Sequence, residues 1–526
     1  MKYVYYLLLA LLWGCGSDEP ELATRPNILF CIADDASFPH MGAYGTDWVT
    51  TPAFDRVARE GLLFLRAYTP NAKCAPSRAC ILTGRNSWQL EEAANHSPTF
   101  PAKFTSFVEV LGRNGYRTGF TGKGWSPGNP GTVAGERRQL TGTPYQGQHT
   151  TPPTAAMSDI DYAANFTAFL DAAPAPIAIG APFFFWYGGY EPHRAYTYGS
   201  GLDGTGRSLD DVNDVPPMWP DTDTVRTDLL DYAREIDHFD DHLGRMLAEL
   251  ERRGELDNTI VVVTADNGMP FPRIKGQAYE RSNHLPLAVR WPAGIADAGR
   301  TIEDFVNFVD LAPTFLDVAG VVWDSSGMSP TVGRSMRPIL ENAQEEPFRD
   351  HVLIGKERHD VGRPGDVGYP IRGIVRGDYL YLHNYATDRW PVGNPETGYL
   401  NTDGSPTKTL LLNRRRNGTD TAGLWQLSFG KRPAVEVYNI AADPYCMDNL
   451  ADDPELATLI AGMEEEMITE LRAQGDPRVT GRGEVFDRYP YYGAVAGFYE
   501  RYMSGEAVEA SWVEESDFEP APLENK

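Results

Sequence analysis

Asn27-Ile28-Leu29-Phe30-Cys31-Ile32-Ala33-Asp34-Asp35 decides the fold class of this chain of 526 residues. Ile28 to Ala33 is a continuous apolar run that stops at two aspartates. A strand with one wet face alternates apolar and polar residues. A strand that is apolar throughout is covered on both faces, as in a parallel sheet between helical layers. The same pattern returns at Thr259-Ile260-Val261-Val262-Val263-Thr264, which leads into Asp266-Asn267, and at Ala181 to Trp186. Tyr116 to Thr121 and Leu287 to Trp291 read as further strands. Thr51 to Gly61 has helical spacing, continued by Leu62. Phe107 to Leu111 reads as a helix ended by Asn114-Gly115. Asp228 to Arg253 reads as a long helix, with Leu229, Tyr232, Ile236, Phe239, Leu243, Leu247 and Leu250 near one face. Strands alternating with helices predict an α/β fold with a large parallel or mixed sheet.

Past about Gly365 the texture changes. Ile371 to Val375, Tyr379 to His383 and Val435 to Ile440 read as short strands, and Pro454 to Gln474 as a helix. The expected division is a leader and tether over 1–22, a catalytic domain over 23–365, a small α+β domain over 366–480 and a surface-wrapping acidic tail over 481–526, its last dozen residues disordered. A formal net charge of -26 excludes general affinity for nucleic acid or anionic membrane. An anionic substrate would therefore need a local basic pocket.

Lys2 precedes an apolar run, Val4 to Trp13, too short to span a bilayer. Leu12-Trp13-Gly14-Cys15 resembles a bacterial lipobox, in which Cys15 is lipidated; an ordinary cleaved signal is the alternative. Gly16-Ser17-Asp18-Glu19 resembles the tag of surface-exposed lipoproteins. The expectation is export with a lipid anchor at the outer membrane or cell surface, otherwise the periplasm, and membrane contact only through that anchor. Cys31, Cys74, Cys80 and Cys446 are too few to form a disulfide framework in so long a chain.

In a parallel sheet, sites form outside the carboxyl ends of the strands. Asp34, Asp35, Asp266 and Asn267 would converge there. Three carboxylates repel one another unless a cation joins them, and an oxygen set suits Ca²⁺ or Mg²⁺ better than zinc. In Cys74-Ala75-Pro76-Ser77-Arg78, Pro76 fits a first helical turn and Gly84 stops the helix, so Cys74 lies at a helix N-terminus. A buried structural cysteine, a thiolate nucleophile and a modified residue are the three readings. His238 and His242 have the spacing of a metal pair without a zincin carboxylate, and read as a surface helix face.

Cys74-Ala75-Pro76-Ser77-Arg78 through Thr83-Gly84-Arg85 resembles the signature of type I sulfatases. Pro26 to Asp35, Thr264 to Gly268, Val309 to Thr314, and Val437-Tyr438-Asn439 with Asn449-Leu450 are similar to further landmarks of that family. The resemblance implies an alkaline-phosphatase-like sandwich with a smaller C-terminal domain. It implies that a converting enzyme oxidises Cys74 to formylglycine, whose hydrated aldehyde attacks sulfur beside a divalent cation, Ca²⁺ or Mg²⁺, held by Asp34, Asp35, Asp266, Asn267 and residue 74 itself. It also implies roles for single residues. Arg78 holds the formylglycine hydroxyl. Lys123 binds that hydroxyl and a sulfate oxygen. His193 touches sulfate and protonates the leaving group, and Lys275 bridges sulfate and leaving oxygen.

The chain departs from the family at Trp125, where a histidine is usual, and at Arg281-Ser282-Asn283-His284 in place of Gly-Gly-x-Arg. His96 or His284 is expected to substitute for that histidine, or Trp125 to line a sugar subsite. Asp266 to Pro272, Glu191-Pro192-His193-Arg194 and Tyr369-Pro370-Ile371-Arg372 resemble the N-sulfoglucosamine sulfohydrolase branch. That implies a sulfated oligo- or polysaccharide, with N- and O-sulfate both open. Arg358, His359 and Asp360 are candidates to read the sugar, a solvated loop being the alternative. The competing functions are a phosphonate monoester or phosphodiester hydrolase of the same superfamily, and a non-catalytic glycan-binding lipoprotein.

Overall fold

The computed structural model describes residues 25–172 and 180–523. The lipobox and Cys15 lie outside the described residues. In chain order the strands are β1 (Asn27–Ala33), β2 (Leu62–Tyr68), β3 (Arg117–Gly122), the short pair β4 (Thr132–Val133) and β5 (Glu136–Arg137), β6 (Thr143–Pro144) and β7 (Phe183–Gly188). They continue with β8 (Thr259–Ala265), β9 (His284–Arg290), β10 (Arg300–Asn307), β11 (His351–Lys356), β12 (Ile371–Arg376), β13 (Tyr379–Asn384) and β14 (Val435–Asn439). The main sheet has the order β10-β2-β9-β8-β1-β7-β3-β6. It is mixed, because β9 runs antiparallel to both β2 and β8.

Strand β1 lies between β7 and β8, parallel to both. Its side chains alternate between two cores. Leu29, Cys31 and Ala33 join helices α1 (Pro52–Arg59), α4 (Tyr162–Asp171) and α5 (Asp223–Arg252) on one face. Ile28, Phe30 and Ile32 join α2 (Cys74–Thr83) and α3 (Phe107–Arg113) on the other. Both faces are dry, which explains the unbroken apolar run.

The register then sets the site. Ala33 is opposite Ala265, so Asp34-Asp35 leaves the sheet beside Asp266-Asn267. Gly122 is opposite Gly188, so Lys123 and the loop carrying His193 leave at the same edge. Both glycines are required by close approach. A Cβ at Gly122 would lie 2.0 Å from Gly188 O, and one at Gly188 would lie 1.9 Å from Lys123 O.

Three details correct the sequence reading. The helix before Leu62 stops at Arg59, and Leu62 begins strand β2. The second, antiparallel sheet β11-β12-β13-β14 begins at His351, ahead of the texture change at Gly365. Helices Pro406–Arg416 and Leu424–Phe429, which the reading missed, pack into the α5 core through Leu411, Leu412, Trp425 and Phe429. The far tail is also ordered as far as it is described. Asp517 is buried and pairs with Lys408 at 2.9 Å.

Candidate active site

Cys74 is the first residue of α2, and Gly84 closes that helix in the left-handed conformation at φ 66°. Every residue of α2 is buried. Its N-terminus points at the carboxyl ends of β1 and β8. The Cys74 thiol donates to Asp34 Oδ1 at 3.3 Å and lies 3.9 Å from Asp35 Oδ1. One turn along, Arg78 Nε donates to Asp266 Oδ2 at 2.8 Å, and its NH1 donates to Lys123 O and Gly124 O at 2.7 and 2.9 Å. This buried guanidinium joins α2 to the ends of β3 and β8.

Two lysines complete the charge balance. Lys123 pairs with Asp34. Lys275 bridges Asp35 Oδ2 at 2.7 Å and Asp403 Oδ2 at 2.6 Å. Burial opposes the charge on both ammonium groups, but the neighbouring carboxylates outweigh it and hold both lysines above their ordinary range. Burial likewise opposes charge on Asp34, yet Lys123 draws it down to about 2. His193 Nε2 stands 3.9 Å from Asp35 Oδ2.

Donor atoms of Asp34, Asp35, Cys74 and Asp266 all lie within 4.8 Å of one another. Asn267 Nδ2 donates to Asp35 Oδ1 at 2.7 Å, while the buried Asn267 Oδ1 has no hydrogen-bond partner. Three carboxylates and a free amide oxygen fit a hard divalent cation.

These groups open into a cavity of about 310 Å³, lined in part by Lys73, Cys74, His96, Lys123, His193 and Lys275. Ser126, Pro127, Asp360, Asp403, Tyr491, Ser511 and Trp512 complete the wall. Sequence reasoning missed Lys73, Asp403, Tyr491, Ser511 and Trp512. Lys73 adjoins the signature and was within reach of it. The others are isolated residues on loops, brought in by tertiary folding alone.

The structure brings His96 and Asp360 to this wall and removes four other candidates from it. Trp125 is buried, donates from Nε1 to Ala75 O at 3.0 Å and meets Phe100 edge-on. It braces α2 and lines no sugar subsite. His284 is stacked on Phe38 and Tyr68, with its ring nitrogens bonded to Glu280 and Leu65 O, so it has no free atom for a ligand. His359 is likewise used up between Gly276 O and Asn71 Oδ1. The Arg358 guanidinium donates to Tyr489 O and Pro490 O, so it holds the tail and does not read a sugar.

His238 and His242 are buried on α5, their rings 4.7 Å apart, not on a surface face. A broader hollow of about 1080 Å³ beside them is lined by Asp237, Asp240 and several arginines. Two of its acids are engaged. Asp237 pairs with Arg207, and Asp240 caps α1 through the amides of Ala53 and Phe54.

Known proteins share this arrangement of sequence and fold. The family model described as Sulfatase matches residues 26–321, and the one described as N-sulphoglucosamine sulphohydrolase, C-terminal, matches residues 274–390. Human N-sulphoglucosamine sulphohydrolase is 29% identical over 498 residues, covering 86% of this chain and 92% of the relative. A solved protein in complex with its substrate D-glucosamine-2-N,6-O-disulfate superposes with a TM-score of 0.58 at 22% identity, covering 86% of this chain and 98% of its own. The phosphonate monoester hydrolase of Agrobacterium radiobacter gives a TM-score of 0.58 at 20% identity, covering 86% of this chain and 96% of its own. The four free cysteines of the described residues leave Cys74 unbridged at the centre of this site. With more than half of its residues matched by the family model, the chain belongs to the sulfatase family, with the mixed-sheet, alkaline-phosphatase-like fold of those neighbours.

Proposed function

We propose that this protein hydrolyses sulfate from a sulfated carbohydrate, with a glucosamine bearing N-sulfate as the first substrate to test. The observation that carries the sugar reading is the match to the N-sulphoglucosamine sulphohydrolase C-terminal model. It spans residues 274–390 and so includes Lys275 and Asp360, both on the cavity wall. The net reaction adds water across a sulfur–oxygen or sulfur–nitrogen bond and releases sulfate and a sugar hydroxyl or amine.

Asp34, Asp35, Asp266 and Asn267 are the residues that would hold a divalent cation, Ca²⁺ or Mg²⁺, and its chemistry there is to neutralise negative charge beside sulfur. Converted by a formylglycine-forming enzyme, residue 74 would supply a hydrated aldehyde hydroxyl as the nucleophile. The chain's other residues orient and neutralise. Arg78 fixes α2 against the carboxylates and keeps residue 74 at the cavity floor. Lys123 and Lys275 face the sulfate oxygens and offset charge that grows as the bond to the leaving group breaks. His193, on the rim, carries a proton to the departing oxygen or nitrogen. Trp125, which stands where the family usually has a histidine, spends its Nε1 on Ala75 O and is not among the residues that line the cavity.

Export with lipidation of Cys15 completes the proposal. Cys15→Ala should move the protein from the membrane fraction to the soluble fraction.

The test is release of sulfate, or of the alcohol from a phosphonate ester, by protein made in a formylglycine-forming host and supplied with Ca²⁺. Glucosamine 2-N-sulfate, glucosamine 6-sulfate and a phosphonate monoester are compared. Release from a sugar supports the proposal. Turnover of the phosphonate alone would make the chain a phosphonate hydrolase, and sugar binding without turnover would make it a lectin.

A further inference from the structure

Lys123, Lys275 and His193 account for one side of the cavity. The other side has a different character. His96 Nδ1 lies 3.0 Å from Asp360 Oδ1. The carboxylate can only accept, so Nδ1 carries the proton and Nε2 presents a bare lone pair. His96 is 8% exposed, and Nε2 has no partner within the protein. A buried acceptor left empty is costly, and the atom belongs to a residue on the cavity wall. Asp360 is itself fixed, by Lys73 Nζ at 2.7 Å and by its own amide donating to Asn401 Oδ1 at 3.0 Å. Burial keeps the imidazole below its ordinary pKa, which suits a neutral acceptor.

The rest of this wall comes from the C-terminal tail. Tyr491 is pinned on both sides: Pro490 O accepts from Arg358, and Tyr492 N donates to Ser97 O at 2.7 Å. Trp512 Nε1 donates to Leu400 O at 2.8 Å, and Trp512 O accepts from Gly404 N at 2.7 Å. Between them Phe498 and Ala510 pack with Val361 and Leu400 in a small core. The tail is thus tied across the mouth, and its two aromatic residues line the cavity.

We propose that this wall is the leaving-group subsite: Tyr491 and Trp512 pack against one sugar ring, and His96 Nε2 accepts a hydrogen bond from a sugar hydroxyl. Fixed aromatic rings give apolar faces, and the small cavity suits a single sugar residue. The inference rests on the sulfated-sugar reading above.

The test compares steady-state kinetics on glucosamine 2-N-sulfate for the converted, Ca²⁺-supplied enzyme and its variants. Trp512→Ala and His96→Ala should each raise KM by roughly tenfold while kcat falls less than about threefold, as expected for lost ground-state and transition-state binding together. Trp512→Phe, which keeps a ring, should recover most of the loss. Thermal melting checks that the variants are folded, and Tyr491→Leu carries the same comparison if Trp512→Ala is not. Unchanged KM in the folded variants, or a fall in kcat alone, would overturn the subsite and leave the sulfatase reading intact. A wild-type enzyme inert on every sulfated sugar would overturn the reading and the subsite with it.

Discussion

Cys74 Sγ lies 3.3 Å from Asp34 Oδ1, and the thiol is pushed well above its ordinary pKa, first by burial and then by that carboxylate. That shift holds for the site without a cation; what marks residue 74 as a formylglycine precursor is its place in Cys74-Ala75-Pro76-Ser77-Arg78. Protein from a converting host should yield a Cys74–Arg78 tryptic peptide with an aldehyde mass. Cys74→Ala, and protein retaining the thiol, should lose at least about a thousandfold in kcat. Full activity with an intact thiol would defeat this account.

Lys123, Lys275 and Arg78 pair with Asp34, Asp35 and Asp266, but Lys275 is shared with Asp403, so four carboxylates meet three cations, and a bound cation should stabilise the native state. A ligand held at a hundred times its Kd adds about 2.7 kcal/mol to stability. Exhaustive chelation should therefore lower the melting temperature by several degrees and abolish turnover, and Ca²⁺ should restore both. Unaltered melting and activity in protein shown by elemental analysis to be metal-free would refute the assignment.

Trp125 is expected to act on stability more than on substrate. Its indole fills a buried site against Phe100 and donates to Ala75 O, in the first turn of α2. Truncation to alanine should cost about 3–5 kcal/mol in denaturant unfolding. Trp125→Phe should cost about 1–2 kcal/mol, for the lost hydrogen bond and poorer fit, with little change in KM for a sulfated sugar. A large rise in KM without loss of stability would return Trp125 to the substrate.

The carboxylate end of the site was legible because strand and motif are contiguous. An apolar run ending in Asp34-Asp35, and another leading into Asp266-Asn267, mark both the strand and the oxygen ligands at its end. Register then does the rest, since Ala33 opposite Ala265 leaves little choice. The substrate wall was not legible. Asp403, Tyr491 and Trp512 sit on loops with no periodicity, and their positions are set by distant anchors such as Arg358 and Leu400. Arg358-His359-Asp360 shows the limit well. Three adjacent polar residues point three ways, and only Asp360 reaches the cavity. Strand β2 was missed for a related reason: Leu62-Leu63-Phe64-Leu65 continues a helical stripe in sequence, and only pairing with β9 and β10 makes it a strand.

Glu235 offers a test of the fold away from the site. It lies on α5, 1% exposed, and its Oε1 has no hydrogen-bond partner. Burial first, then Glu191 and Asp231, pushes its pKa from 4.5 up to about 9. The native state therefore keeps this proton across a range in which the unfolded chain has lost it. With fewer protons bound to the unfolded state between pH 4.5 and 9, stability falls as pH rises through that window. Glu235→Gln cannot ionise and should escape this loss. Relative to wild type it should gain about 2–4 kcal/mol between pH 5 and pH 8, within the limit of about 1.4 kcal/mol per pH unit for one proton. Denaturant unfolding of both proteins at the two pH values measures the difference, in which the other titrating groups cancel. An equal offset at both values would mean that Glu235 is ionised in the native protein and holds a counter-ion or water that its surroundings must supply.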